Sequence, residues 1–381
     1  MHTNTKRILS FLILSSLAIF CFVPHPAEAK VTKWQRMLER NGVDPAIWQR
    51  FLPTISHKDY KRIKKILLGG NGQTVSASLG PEISVGLWYF SKDDKDPFKI
   101  SASKAYNIKD KDGNVIAQVA AEAETKVECN DNGKLRVYGS IPDTTPDTTT
   151  DDKVTFDAAD GDNSSIIFDA NHPGDSYDHF RGKIEVNYYH GDDIYGGSSD
   201  TVTQIWVVND LPIEQYVWGM GETTGTGPDN HVRVMTTIFR TYGYWYIENA
   251  TKYKPLGFKI RSDSGSQIYG GYDWEKDHSD IRQAAEETRG QLVMYKGKAA
   301  LTPYCSYTDG KTRKYPDSDY PYLKSVKDHK EGTKKGLKPG DGGNHMWGLS
   351  AHGALGYAKD GKSWTWILKH YYTHVDIKGA Y

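Results

Sequence analysis

The apolar residues of this chain fall into three regimes. The first is a block: Ile8 to Val23 is an almost unbroken apolar run of about 16 residues. Lys6 and Arg7 precede it, and Pro24, Pro26 and Ala27-Glu28-Ala29 follow. A bilayer span needs roughly 20 residues. A basic start, a short apolar run and a small-residue site instead describe a secretory signal peptide. Residues 1–29 are therefore expected to be a signal peptide. The protein is expected to be exported to the cell envelope or the extracellular space, with an uncleaved N-terminal anchor as the alternative.

The second regime has helical spacing. Trp34, Met37, Leu38 and Asn41 recur at helical intervals, as do Trp48, Phe51 and Leu52 after Asp44-Pro45. Gly69-Gly70-Asn71-Gly72 then breaks the pattern. Residues 30–72 read as a short helical arm. Its basic stretch Lys58 to Lys65 suits a solvated helix face, or contact with an anionic wall polymer.

From Pro81 the period shortens to two. Ile83-Ser84-Val85-Gly86-Leu87-Trp88-Tyr89 alternates apolar and small residues, and Asp112-Gly113-Asn114 reads as a hairpin turn. The turn is not a calcium loop, because Ala121 stands where the bidentate Glu belongs. Residues 81–142 are a β-rich region. Residues 143–180 are rich in Asp and Thr and read as an insertion or linker. Asp157, Asp160 and Asp162 within it suit a solvated loop better than a cation site.

Residues 181–378 mix both periods. Strands are expected at Lys183 to Tyr189 and Gln204 to Val208. Ile213, Tyr216, Val217 and Met220 then form a helical stripe, with Asp210 as its cap and Pro212 in its first turn. A second helix begins near Pro228-Asp229 and buries Val232, Met235, Phe239, Tyr242 and Tyr246. A third carries Ile281, Ala284, Ala285 and Thr288 and stops at Gly290. A hairpin at Gln291 to Tyr304 and two short helices, around Ala351 to Lys359 and Ser363 to Tyr371, complete the chain. The class is α+β, with antiparallel or mixed sheets and packed helices behind the short helical arm.

Composition narrows the function. The 381 residues carry 48 Lys+Arg and 48 Asp+Glu, a formal charge of zero. That balance argues against nucleic acid as a partner. Only Cys129 and Cys305 lie beyond the signal segment, too few for a disulfide scaffold, and whether they pair is left open. Ten Trp and 25 Tyr suit a sugar-binding groove as well as ordinary β-sheet.

Glu222 is the carboxylate best placed for chemistry. It follows the helix stop Gly219-Met220-Gly221 and precedes the glycine-rich turn Thr223 to Pro228. A helix C-terminus and the apolar Trp218 and Met220 would both raise its pKa and favour the protonated acid. On local features alone a surface Glu is the competing reading. Gly348-Leu-Ser350-Ala-His352-Gly353 is one residue too long for a nucleophile elbow. Cys305 with His345 or His352 would make a Cys/His peptidase, but a single cysteine reads better as a core residue. His370 and His374 lack a third partner for a metal.

An ordered set of words resembles the stage II sporulation protein D (SpoIID)/LytB family of peptidoglycan lytic transglycosylases and amidase enhancers. The words are Phe180-Arg-Gly-Lys-Ile-Glu185, Val207-Val-Asn-Asp-Leu-Pro-Ile-Glu-Gln-Tyr-Val-Trp-Gly219, Arg240-Thr-Tyr242, Phe258 to Tyr269, Glu287-Thr-Arg-Gly290, Tyr304-Cys-Ser306 and His345 to Ala354. The resemblance implies a SpoIID-like catalytic domain over 181–378 that acts on peptidoglycan glycan strands and cooperates with a cell-wall amidase. It implies Glu222 and Arg240 as catalytic residues, and Tyr242, Tyr304, Ser306, His345 and Ser350 as substrate-binding ones. Arg240 would bind a substrate oxygen or hold Glu222, a structural salt bridge being the alternative. The implied reaction breaks the MurNAc-GlcNAc bond with one Glu as acid and base, leaving 1,6-anhydro ends without a cofactor. A non-catalytic peptidoglycan-binding amidase enhancer is the alternative. Two departures from the family stand out. Only Met220 and Gly221 separate Gly219 from Glu222, a shorter gap than usual. Arg261, Gly265 and Ser266 stand where some members carry Cys, His and Cys, so no metal is expected there.

Overall fold

The computed structural model describes residues 78–381, apart from residues 95, 131–132, 140–147, 150–151 and 172–176. The expected signal peptide and helical arm lie outside the described residues.

Short strands with one buried face build the first half: β1 (Glu82–Phe90), β2 (Phe98–Ala102), β3 (Tyr106–Lys109), β4 (Val115–Val119), β5 (Thr125–Cys129), β6 (Leu135–Gly139), β7 (Thr148–Thr149), β8 (Lys153–Ala158), β9 (Ile167–Asp169) and β10 (His179–Arg181). The long pair β11 (Lys183–Asp192) and β12 (Thr201–Pro212) follows. Helices then dominate: α1 (Ile213–Trp218), α2 (Asp229–Asn249), α3 (Gly271–Asp277), α4 (Ser279–Glu287), α5 (Ala351–Lys359) and α6 (Trp364–Tyr371). Between them run β13 (Ile260–Arg261), β14 (Gln291–Tyr295), β15 (Lys298–Ala299), β16 (Tyr304–Cys305) and β17 (Leu349–Ser350), and β18 (Asp376–Gly379) closes the chain. The protein is α+β with antiparallel and mixed sheets.

The larger sheet has the order β13-β1-β12-β11-β8-β3-β4, and a second runs β10-β9-β2-β5-β6-β7. Tyr106 on β3 joins the two. It is fully buried, and its hydroxyl reaches the Ala123 carbonyl at 2.9 Å and Thr125 Oγ1 at 2.7 Å. One continuous core links both sheets to the helices: Phe156 and Phe168 from the strands, Ile213, Val217 and Ile238 from α1 and α2, and Leu368 from α6.

Three sequence expectations change. The segment read as an insertion or linker supplies β8, an interior strand of the larger sheet between β11 and β3. Its Val154, Phe156 and Ala158 are buried, and that alternation was hidden by the Asp and Thr around it. The boundaries drawn at 142 and 181 are likewise crossed by the larger sheet, and residues 79–381 form one compact unit. Asp210 does not cap α1: it lies on β12, and Pro212 stands at the cap with no side-chain bond. The Asp112-Gly113 turn is as expected, with Gly113 at φ +84° and Asp110 accepting N–H groups from Asp112 and Asn114.

Candidate active site

The C-terminal end of β12 feeds α1 through Leu211-Pro212, and α1 stops after one and a half turns at Gly219. From the other direction, β13 runs parallel to β1, pairing Val85 with Ile260 and Gly86 with Arg261. The chain then loops from Ser262 to Tyr269, closed by the Tyr269 N–H on the Ser262 carbonyl at 3.0 Å. The far end of this loop pairs with the end of α1. Met220 and Tyr269 form an antiparallel bridge, and the Gly221 N–H reaches the Ile268 carbonyl at 2.8 Å. Both glycines of Gly219-Met-Gly221 are needed for this approach. A Cβ on Gly219 would stand 2.5 Å from the Gly271 carbonyl, and one on Gly221 2.9 Å from the Ile268 side chain.

Glu222 emerges at that junction. Its Oε1 accepts the Ile268 N–H at 2.8 Å, and its carboxylate also takes a hydrogen bond from the Tyr304 hydroxyl. It is half-buried, and among the described residues no cation lies within ion-pair distance of it. Burial pushes its pKa above the ordinary glutamate range, opposed by the Ile268 and Tyr304 hydrogen bonds. The Trp218 ring packs under the Arg282 guanidinium at 4.2 Å. Tyr304, Tyr216 and Tyr242 all feel the charge of Glu222.

Those rings form a supported cluster. The edge of Tyr304 meets Phe239 at 5.4 Å and Tyr242 at 6.5 Å, and Tyr242 stacks on Tyr246 at 4.7 Å. Gln267, fully buried, accepts the Tyr216 hydroxyl at 3.0 Å and extends its amide toward the Tyr304 hydroxyl at 3.4 Å. His345 is tied to the Tyr304 backbone, accepts the Trp347 N–H at 3.0 Å on Nδ1 and stacks on Trp347 at 5.1 Å. Burial lowers its pKa, against that bond to the Tyr304 backbone, and favours the neutral ring. Ile268, 45% exposed, presents an apolar side chain beside the acid.

The structure thus gathers Glu222, Tyr242, Tyr304 and His345. Ser306 is exposed two residues beyond Tyr304. Arg240 and Ser350 go elsewhere. Arg240 and Glu214 are both 0% exposed. The guanidinium grips Glu214 in a two-point fork of 2.9 and 2.8 Å and bonds the Ala285 carbonyl at 2.9 Å. Glu214 also accepts the Gly290 N–H and the Tyr381 hydroxyl, each at 2.8 Å. Arg240 is therefore a core ion pair between α1 and α2 and does not touch Glu222. Ser350, also fully buried, caps α5 by accepting the Gly353 N–H at 3.1 Å. Gln267, Ile268 and Trp274 were missed by sequence reasoning. Gln267 and Ile268 sit inside the word Phe258 to Tyr269, but an amide and a backbone N–H leave no compositional mark.

Cys305 is a buried free thiol that does not pair with Cys129, and burial pushes its pKa up to about 12. It carries no thiolate for a Cys/His reaction. At 261–266, Arg261 forks onto Asp263 at 3.1 and 2.6 Å, and the Tyr195 hydroxyl donates to the same carboxylate at 2.5 Å. Elsewhere, Asp169, Asp178 and His179 place ligand-type atoms within 4.8 Å of one another. His179 Nδ1 is already engaged there by Asp178 at 2.8 Å and Asp273 at 2.9 Å.

A strand feeding a short helix that ends on a tyrosine-lined acid frames the site, and sequence comparison finds relatives for that part of the chain. Residues 201–295, from β12 to β14, match the family model described as stage II sporulation protein, SpoIID. An uncharacterized protein of Brachyspira hyodysenteriae is 32% identical over 127 residues, 32% of this chain and 32% of that protein. The amidase enhancer of Bacillus subtilis is 30% identical over 103 residues, 26% of this chain and 13% of that protein. The match spans a third or less of the length of these curated relatives. The segment that matches the SpoIID model contains Glu222, Arg240 and Ile268.

Proposed function

We propose that the protein is an exported lytic transglycosylase that cuts peptidoglycan glycan strands, with Glu222 as sole general acid and base. The observation that carries this reading is the state of Glu222. A half-buried carboxyl with a raised pKa, no ion pair among the described residues and two hydrogen-bond donors is held in place yet inclined to keep its proton. Protonated Glu222 donates to the glycosidic oxygen as the bond to C1 of N-acetylmuramic acid breaks through an oxocarbenium-like state. The C6 hydroxyl of the same sugar then attacks C1, and its proton returns to the Glu222 carboxylate. One C–O bond breaks and one forms, no water is consumed, and the acid is regenerated. The half-exposed Tyr242, Tyr304 and His345 bind the sugar rings beside it. Inverting and retaining hydrolases instead need a second carboxylate across the bond. No carboxylate is among the groups that shift the titration of Glu222. Export rests on the N-terminal segment read above.

The relative named amidase enhancer and the short gap before Glu222 favour one second reading, a protein that grips glycan and stimulates an amidase without cutting. Digestion of intact and of peptide-stripped sacculi, followed by mass spectrometry, separates the two. Anhydro-ended sugars are expected. Unchanged strands that still pelleted with the protein would leave only the binding reading, and reducing ends would mean a hydrolase. Glu222→Gln should keep binding and lose about two to four orders of magnitude in turnover, because an amide cannot give the proton.

A further inference from the structure

We infer that Trp274 is a positioning residue for Glu222, acting through the main chain of the loop that carries it. The inference rests on the reading of Glu222 as the acid. Glu222 opens a glycine-rich stretch, Thr223-Thr-Gly225-Thr-Gly227, in which Gly225 and Gly227 both have positive φ, +73° and +121°. Within that stretch the hydrogen bonds are local: Gly225 N–H to Thr223 Oγ1 at 3.2 Å, and Thr224 Oγ1 to Thr226 Oγ1 at 2.9 Å. Among the described residues, residues 223–227 make one hydrogen bond to another element. It runs from the indole N–H of Trp274 to the Thr223 carbonyl at 3.1 Å. The main chain of Glu222 is thus pinned on both sides, by Gly221 N–H on the Ile268 carbonyl and by Trp274 on Thr223.

The indole can do this because the short helix behind it is bolted down. The two neighbours of Trp274 are buried acids that face away from the loop. Asp273 accepts the His179 N–H at 3.1 Å and engages His179 Nδ1 at 2.9 Å. Glu275 takes Arg181 from β10 at 2.6 and 3.0 Å and Arg282 from α4 at 2.7 Å. The start of α3 also packs backbone to backbone on Gly219, where only glycine fits. The indole itself stacks on His278 at 3.9 Å and meets the edge of Tyr177 at 5.5 Å. A rigid helix therefore offers one N–H to the residue after the acid, and a loop that could sample many conformations is held in one.

Replacing Trp274 with β-(3-benzothienyl)alanine removes only the donor, because sulfur stands in for the N–H and the ring shape is kept. Trp274→Phe is the second variant, and thermal melting checks that each folds. The expected result is a kcat about three- to tenfold lower, with KM nearly unchanged. The alkaline limb of the pH profile should move to lower pH, since a loosened Glu222 is better hydrated. Amide hydrogen exchange at residues 223–227 should quicken. Unchanged kcat, pH limb and exchange in the isostere would overturn the proposal. If the wild-type protein cuts no glycan, the reading of Glu222 as the acid fails by itself. Exchange at 223–227 and an NMR titration of the Glu222 carboxyl then still decide whether Trp274 holds the loop.

Discussion

Two residues in this chain carry similar chemistry and have opposite fates. Glu214 lies in the first turn of α1, and Glu222 stands eight positions on, just past the end of that helix. Glu214 is wholly buried and held by Arg240, Gly290 N–H and Tyr381. Glu222 is half-buried, meets no cation among the described residues and has a raised pKa. A carboxylate enclosed by an ion pair and two further donors has no room for a substrate oxygen, whereas a desolvated one with few donors is suited to hold and pass on a proton. The sign of the shift has two consequences. Glu222 is protonated below its raised pKa, so cutting should fall on the alkaline side, and the limb should be absent from residual activity in Glu222→Gln. The unfolded chain releases that proton earlier than the native one, so ionising Glu222 lowers stability as pH rises from the unfolded to the folded value. Thermal melts of Glu222→Gln should therefore match or exceed the wild type above that window and converge with it below. A variant less stable at every pH would contradict this account.

At the scale of elements, the site is assembled by ends rather than by faces. The end of α1, the end of the 262–269 loop and the start of α3 meet at glycines, and main-chain bonds hold Glu222 where they meet. Arg240 belongs to this scale. It fastens α2 to α1 through Glu214 and to α4 through the Ala285 carbonyl. Removing one partner of a buried pair leaves the other charged and unpaired, at a cost of about 3–5 kcal/mol. Arg240→Ala should therefore lose stability by that amount in denaturant unfolding. Loss of activity with unchanged stability would return Arg240 to the catalytic site.

The words that resemble the family run from Phe180 to Ala354 and serve different ends. Glu222, Tyr304 and His345 gather at one site. Arg240 and Ser350 are core and cap. All were picked out by the resemblance of the words around them. Which role each has depends on what faces it, and period and spacing do not carry that information. Ile268 shows the opposite limit. Its contribution is a backbone N–H that every residue except proline possesses, so no residue type announces it.

At the scale of the whole molecule, the larger sheet decides what can be removed. The polar segment 143–180 looks dispensable in composition, yet β8 lies inside that sheet and Phe156 is fully buried. Excision of residues 143–180 should abolish cooperative unfolding, and Phe156→Ala alone should cost about 3–5 kcal/mol. Near-wild-type melting after excision would show that the sheet closes without this strand.

Hydrophobic period by itself determined most of the elements: the alternating strands from residue 82, the stripes of α1, α2 and α4, and the glycine stops between them. It placed Glu222 just past a helix stop, but the choice of that acid over a surface Glu came from the resemblance of the neighbouring words. The tertiary structure alone decided the strand order, the burial of β8, the Arg240–Glu214 pair and the ring of tyrosines around Glu222. The division has a physical cause. Period and turn chemistry are properties of neighbours along the chain. Desolvation, ion pairing and strand partnership depend on groups tens of residues away, and only folding brings those together.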